Sequence, residues 1–129
     1  MRKLVVAMVT VALTVVFGLA GTALAGDPGK GEEIFKGKRK CKTCHKLTAK
    51  KKVGPGLKGV TDRRSEGWLK KWLTNPQATW VENDAETQKL KEWKKGRKKA
   101  KKTTMKFKLP LSPTDVEDVI AFLKKNDGK

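Results

Sequence analysis

"CKTCHKLTAKKKVGPGL", residues 41–57, holds both cysteines of the chain and its one histidine, with Cys41 and Cys44 three apart and His45 directly after. Three chemistries use such a cluster. A redox dithiol places C-x-x-C at the start of a helix within a βαβ unit, and no strand pattern is present here to build one. A structural zinc site takes four ligands from cysteine, histidine or carboxylate. This chain offers three good donors, and a histidine adjacent to a cysteine crowds a tetrahedron. The third chemistry is covalent attachment of a haem, for which C-x-x-C-H is the sequence mark. The two thiols add to the two vinyl groups of the porphyrin, and the next residue turns its imidazole toward the iron.

The surroundings of the motif favour the third reading. Arg2 and Lys3 precede an almost unbroken apolar run from Leu4 to Ala20, and Ala23 and Ala25 place small residues ahead of Gly26. That is the layout of a secretory signal peptide, residues 1–25, cleaved after Ala25. The alternative is a membrane-anchored form, because an apolar run of about 17–20 residues just suffices to span a bilayer. The expected location is periplasmic or otherwise extracytoplasmic. Residues 26–129 then form one domain of 104 residues, in which only thirty belong to the set A, V, I, L, M, F, W and C. Small chains with thin cores usually need a staple or a bound group to fold. A haem supplies that apolar mass, and its attachment leaves no free thiol to scramble in an oxidising compartment.

Charge sets a further bound. The formal +18 of the full chain becomes +16 once Arg2 and Lys3 are removed. Such a surface is drawn to acidic partners at rates that fall with salt. Nucleic acid is the reflex partner of a strongly basic domain, but export argues against it.

Four helices can be read. Asp27 suits an N-cap and Pro28 the first helical position of a helix carrying Ile34 and Phe35. In "SEGWLKKWLTNP", Ser65 caps, and Trp68, Leu69, Trp72 and Leu73 share one face until Pro76 ends the helix. In "LSPTDVEDVIAFLKK", Ser112 caps, Pro113 opens the helix, and Leu111 and Val116 can form a hydrophobic staple. Between the last two, residues 80–104 form a highly basic, insertion-like loop or helix. A helix can start near Asp84, and seven of the nine residues from Lys94 to Lys102 are basic. A run of that kind is usually a solvated face.

With these pieces in order, the chain resembles a small monohaem class I c-type cytochrome. The resemblance runs through Cys41, Cys44 and His45, then Gly54, Pro55 and Leu57, then "WLKKWLTNP", then Met105, then "DVIAFLKK". It implies an all-α cytochrome c fold, with about four helices wrapped around one haem c attached through Cys41 and Cys44. It also implies a hydrogen bond from His45 to the Pro55 carbonyl, and a crossing of the first and last helices at Gly31 or Phe35 against Phe122. Leu57 and Trp72 are expected against the cofactor. His45 is the expected iron ligand and Met105 the second. Met105 is the only methionine of residues 26–129, and no second histidine exists. The proline usual beside that methionine is absent from "TTMKFK".

With both axial positions filled, the expected function is exported, one-electron transfer by a monomer, not enzymatic catalysis. The expected partners are acidic redox proteins, a reductase and an oxidase, with an anionic membrane surface as a second attraction. Lys38, Arg39, Lys40, Lys42 and Lys46, and the run from Lys94 to Lys108, would form the docking ring. Two alternatives stay open. One is a haem-based sensor or peroxidase-like protein with an open iron position, and the other is a basic binding protein without haem.

Overall fold

The computed structural model describes residues 25–129, so the leader assigned to residues 1–25 lies outside them except for Ala25. The described chain forms helices α1 (Pro28–Glu33), α2 (Val60–Arg63), α3 (Glu66–Thr74), α4 (Pro76–Glu82), α5 (Ala85–Lys91) and α6 (Pro113–Asn126), with no strand among the described residues. None of these helices is long and apolar enough to cross a membrane.

The expected caps at Asp27, Ser65 and Ser112 are in place, and Asp84 caps the helix that starts beside it. The Asp27 carboxylate accepts from the N–H groups of Gly29 and Lys30, Ser65 from Trp68, Asp84 from Thr87 and Ser112 from Asp115. Each satisfies a helix N–H that has no partner within its own helix. Leu111 and Val116 are both buried, as the staple requires. Pro76 has two roles: it follows the end of α3 and opens α4. Asn75 between them caps α4 by accepting from Ala78 at 3.0 Å.

Helix α1 widens into a π-helical turn, Ile34–Lys38, closed by Arg39 N–H donating to the Ile34 carbonyl at 2.9 Å. Ile34 and Phe35, at the start of this turn, are buried. The α1 helix crosses α6 with no room between the backbones. A Cβ on Gly31 would stand 2.0 Å from the Asp118 carbonyl oxygen and 2.7 Å from the Phe122 Cβ. One turn on, the Phe35 and Phe122 rings meet at 5.5 Å between centroids, tilted by 51°. Both residues of the expected crossing therefore take part.

The α3 face packs on α6 through Trp68, Leu69, Trp72 and Leu73, which join Ile34, Val119, Ile120 and Leu123 in one core. At the far end of α6, Asp127 accepts from Gly59 N–H at 2.6 Å and from Thr61 N–H at 2.9 Å. This ties the turn before α2 to the C-terminus. Ion pairs of Glu66 and Glu117 with Lys70 and Lys124 join α3 to α6 at the surface. Exposed pairs of this kind contribute about 0.2–1 kcal/mol each.

The first half of the basic segment belongs to the core. Trp80 is 2% exposed and Thr87 fully buried. Lys91 is buried as well, its Nζ donating to the Trp80 carbonyl at 3.0 Å and to Asn83 Oδ1 at 2.7 Å. Its ammonium also lies 4.5 Å from the centre of the Trp80 ring. Only from Lys94 onward does the segment turn its charge largely to solvent.

Replacement of Gly31 by alanine should destabilise the protein by about 1–3 kcal/mol, the usual cost of overpacking. Gly37→Ala, where a Cβ meets nothing within 4 Å, should cost far less. Denaturant unfolding of the two variants checks the difference, and equal losses would contradict a close α1–α6 crossing.

Candidate haem site

A cavity of about 310 Å³ opens between the C-x-x-C-H turn, α3, the basic segment and the stretch around Met105. That volume lies at the lower end of the range for small-molecule and cofactor sites, about 300–1,000 Å³. Cys41, Cys44, His45, Pro55, Leu57, Trp72 and Met105 all line it, so every site residue expected from the sequence reaches one space.

The cysteines are presented by a tight turn. Lys40 adopts a left-handed conformation (φ 52°) and swings the chain out of the first helix. A non-glycine residue there carries a cost of about 1–2 kcal/mol. Cys41–Thr43 then form a single 3₁₀ turn. Cys44 and His45 both donate backbone N–H groups to the Cys41 carbonyl, at 3.1 and 3.0 Å. This doubly bonded carbonyl gathers two thiols and an imidazole at one edge of the cavity. Burial pushes the Cys41 thiol above its usual range, which keeps it protonated and slow to oxidise.

His45 is held from two sides. Its Nδ1 lies 2.9 Å from the Pro55 carbonyl oxygen. A carbonyl only accepts, so Nδ1 carries the proton and Nε2 keeps its lone pair. On the flank, a Cβ built on Gly54 would lie 2.4 Å from Cε1 and 3.1 Å from Nε2. The imidazole therefore occupies the space that any larger residue at position 54 would take. Burial, only partly opposed by the Pro55 hydrogen bond, lowers the His45 pKa. A neutral imidazole with one defined lone pair is the form that binds a metal.

Three indoles form a further part of the lining. Trp68 and Trp72 stack at 5.1 Å with 12° between planes, and Trp80 tilts against Trp72 at 6.3 Å. Each N–H has a different acceptor. Trp68 donates to Thr87 Oγ1 at 3.0 Å, Trp80 to the Ala100 carbonyl at 2.7 Å, and Trp72 to Met105 Sδ at 3.0 Å. A thioether is a weak acceptor, so the last bond orients the methionine more than it stabilises the fold. The Met105 N–H is itself held by Thr103 Oγ1 at 3.2 Å, and Thr103 N–H donates to Gln77 Oε1 at 3.1 Å.

The cavity suits a large flat apolar group with ionic edges. Two thiols, one imidazole, one thioether and three stacked or tilted indoles line it together with apolar residues such as Leu57, Val60, Leu69 and Val119. Sequence reasoning did not bring Trp80, Trp93, Thr103, Arg63 or Arg64 to the cavity, and it placed Arg39 and the run containing Arg97 only in the docking ring. The recurrence of tryptophan at 68, 72, 80 and 93 in a chain without tyrosine was the available signal.

Replacing Gly54 with alanine should displace the imidazole and break its bond to Pro55. The expected result is a lower melting temperature and a His45 imidazole NMR signal displaced from its wild-type position. An unchanged signal would contradict the packing of His45 against residue 54.

Comparison with known proteins gives these residues their context. The cytochrome c family model matches residues 29–127. Cytochrome c2 of Rhodomicrobium vannielii is 35% identical, with 100% of both chains covered. Cytochrome c2 of Rhodobacter capsulatus is 36% identical over 90% of this chain and 96% of its own. Cytochrome c-554 of Methylosinus trichosporium is 45% identical over 64 residues, and there the match spans about half, 46%, of either protein. No solved structure matches at comparable significance. The chain belongs to the cytochrome c family and is an electron-transfer protein whose haem c is attached through Cys41 and Cys44.

Proposed function

We propose that this protein is an exported one-electron carrier in which His45 and Met105 hold the two axial positions of the iron. The hydrogen bond from Trp72 Nε1 to Met105 Sδ carries the proposal. It fixes the one thioether of residues 26–129 on the same cavity that His45 lines. When bound, the haem supplies a one-electron Fe(III)/Fe(II) couple, and a methionine–histidine pair raises its potential relative to other axial sets.

The chain's own part is to keep that couple unchanged in shape. Pro55 and Gly54 hold the imidazole in one tautomer and one orientation. Thr103 and Trp72 hold the methionine from its backbone and its sulfur. Ligands held in both oxidation states need little rearrangement when the electron moves. The apolar lining excludes water, and a closed iron leaves no position for oxygen or peroxide, which favours carriage over catalysis.

Charge selects the partners. From Lys94 to Lys108, Lys98–Glu92 is the one ion pair among the described residues. Most other acidic partners in such pairs stand on α1, α3, the α4–α5 turn and α6. Lys38, Lys40, Lys42 and Lys46 add charge beside the cysteines. A positive rim at the mouth of the cavity steers acidic redox proteins toward it and lets them leave again. The monomer needs no second copy to complete the cavity, and the leader layout of residues 1–25 supports export.

Met105→Ala tests the ligand set. The haem should stay attached through both thiols, while the weak long-wavelength band of the oxidised protein that marks sulfur–iron ligation disappears and the reduction potential falls. Retention of that band in the variant would sink the assignment of Met105.

A further inference from the structure

Gly26 lies closer to α6 than any residue with a side chain could. A Cβ on Gly26 would stand 2.0 Å from the Glu117 carbonyl oxygen and 2.7 Å from the Asp118 backbone nitrogen. Gly31 approaches the same stretch of α6, but it does so within the helix crossing. Gly26 precedes the helix and its cap at Asp27. The crossing does not need a glycine there, so this second approach calls for its own reason.

The side chain at this corner of α6 is a carboxylate. Asp118 is only 5% exposed. Its Oδ1 accepts from the Asp27 N–H at 2.7 Å, and its Oδ2 accepts from no group among the described residues. Residues 26–129 hold twenty-nine lysines and arginines, yet no ion pair among the described residues includes Asp118. The other charged groups around it are turned to other uses. The Asp27 carboxylate caps α1 through the N–H groups of Gly29 and Lys30, and Glu117 pairs with Lys70 of α3 at 2.8 Å. Lys30 is the one cation of α1, and it forms no ion pair among the described residues. A carboxylate buried without a cation is costly.

The missing cation is one that the chain gains only by processing. Cleavage after Ala25 makes Gly26 the first residue and turns its neutral amide into an ammonium with three donors. We propose that the α-ammonium of Gly26 is the counter-ion of Asp118, so that removal of the leader completes a buried ion pair between the N-terminus and α6. The inference rests on the leader reading of residues 1–25 and goes beyond it by giving the new N-terminus a place in the fold. Successive backbone nitrogens stand at most about 3.7 Å apart, and the Asp27 nitrogen is already bonded to Asp118. The Gly26 nitrogen is therefore within reach of the same carboxylate. The absence of a side chain at residue 26 lets that nitrogen come down onto the α6 backbone. The uncleaved chain carries an uncompensated carboxylate where its first and last helices meet, and the processed chain does not.

The test follows the α-amine itself. The whole chain is expressed with its leader and with haem-attachment machinery, and the intact mass of the exported product gives its first residue. In that haem-loaded product, NMR of ¹³C-labelled glycine follows Gly26 from about pH 6 to pH 10, which brackets the ordinary α-amino pKa of about 7.7–8.0. The amine should titrate above that range. Asp118→Asn keeps an acceptor for the Asp27 N–H and removes the charge, and should lower the titration point by about 1–3 pH units, the usual effect of one close opposite charge. Stability carries the same sign. A pKa raised by folding adds stability that is complete below the ordinary value and is lost as pH rises through the raised one. The denaturant midpoint of wild type should fall over that interval. The midpoints of Asp118→Asn, and of a form that retains residues 23–25, should fall less. If Asp118→Asn fails to fold, the form retaining residues 23–25 supplies the comparison. A Gly26 amine with an ordinary pKa, one equally high in Asp118→Asn, or equal falls in wild type and the retained form overturns the pairing. A product that does not begin at Gly26 is a separate result, which overturns cleavage after Ala25 and the pairing with it.

Discussion

The three indoles of Trp68, Trp72 and Trp80 set the rest of the structure. A buried indole N–H needs an acceptor, and leaving one without a partner costs about 1–3 kcal/mol. The acceptors here are Thr87 Oγ1, Met105 Sδ and the Ala100 carbonyl. All three lie in or just after the segment that looked in sequence like a charged excursion. The stack therefore dictates where that segment runs. It folds back over α3, closes one side of the cavity and delivers Met105 to it. A chain with thirty apolar residues in 104 cannot build a thick core, and three tryptophans concentrate what it has on one wall.

Much of this was legible in the order of residues. The C-x-x-C-H turn, the caps at Asp27, Ser65 and Ser112, a helix start near Asp84, and the apolar face Trp68–Leu69–Trp72–Leu73 are local signals, and local signals survive folding. The crossing at Gly31, Phe35 and Phe122 was expected from the resemblance to class I c-type cytochromes and not from any local signal. What stayed hidden depends on long-range pairing. Lys91 looked like one more solvated lysine, yet its ammonium is buried on Trp80 and bonded to Asn83. No periodicity in the sequence announces a buried lysine. Helix α4 was hidden for a different reason: Pro76 reads as a stop, and only the Asn75 side chain, bonded to Ala78, turns the same residue into a start.

The charge of the protein divides into two populations with different work. Lysines crowd the exposed surface, and their value is long-range, in steering and in keeping a compact cation soluble. Arginines stand on the cavity wall, where geometry and stacking matter more than net charge. Composition alone reports the sum of the two and hides the division. The division also explains how a basic run can lie beside an apolar cavity: most of its ammonium groups stay in water, while Trp80 and Trp93 line the inside.

The account stands on one claim above the others, that residues of this chain fill both sides of the iron. Carbon monoxide added to the reduced, haem-loaded wild-type protein at neutral pH tests it most directly. A closed iron, held by His45 and by a methionine locked through Trp72 and Thr103, predicts a reduced spectrum that the gas leaves unchanged over minutes. Rapid formation of a carbon monoxide adduct would contradict the account and point to an iron with an open coordination position.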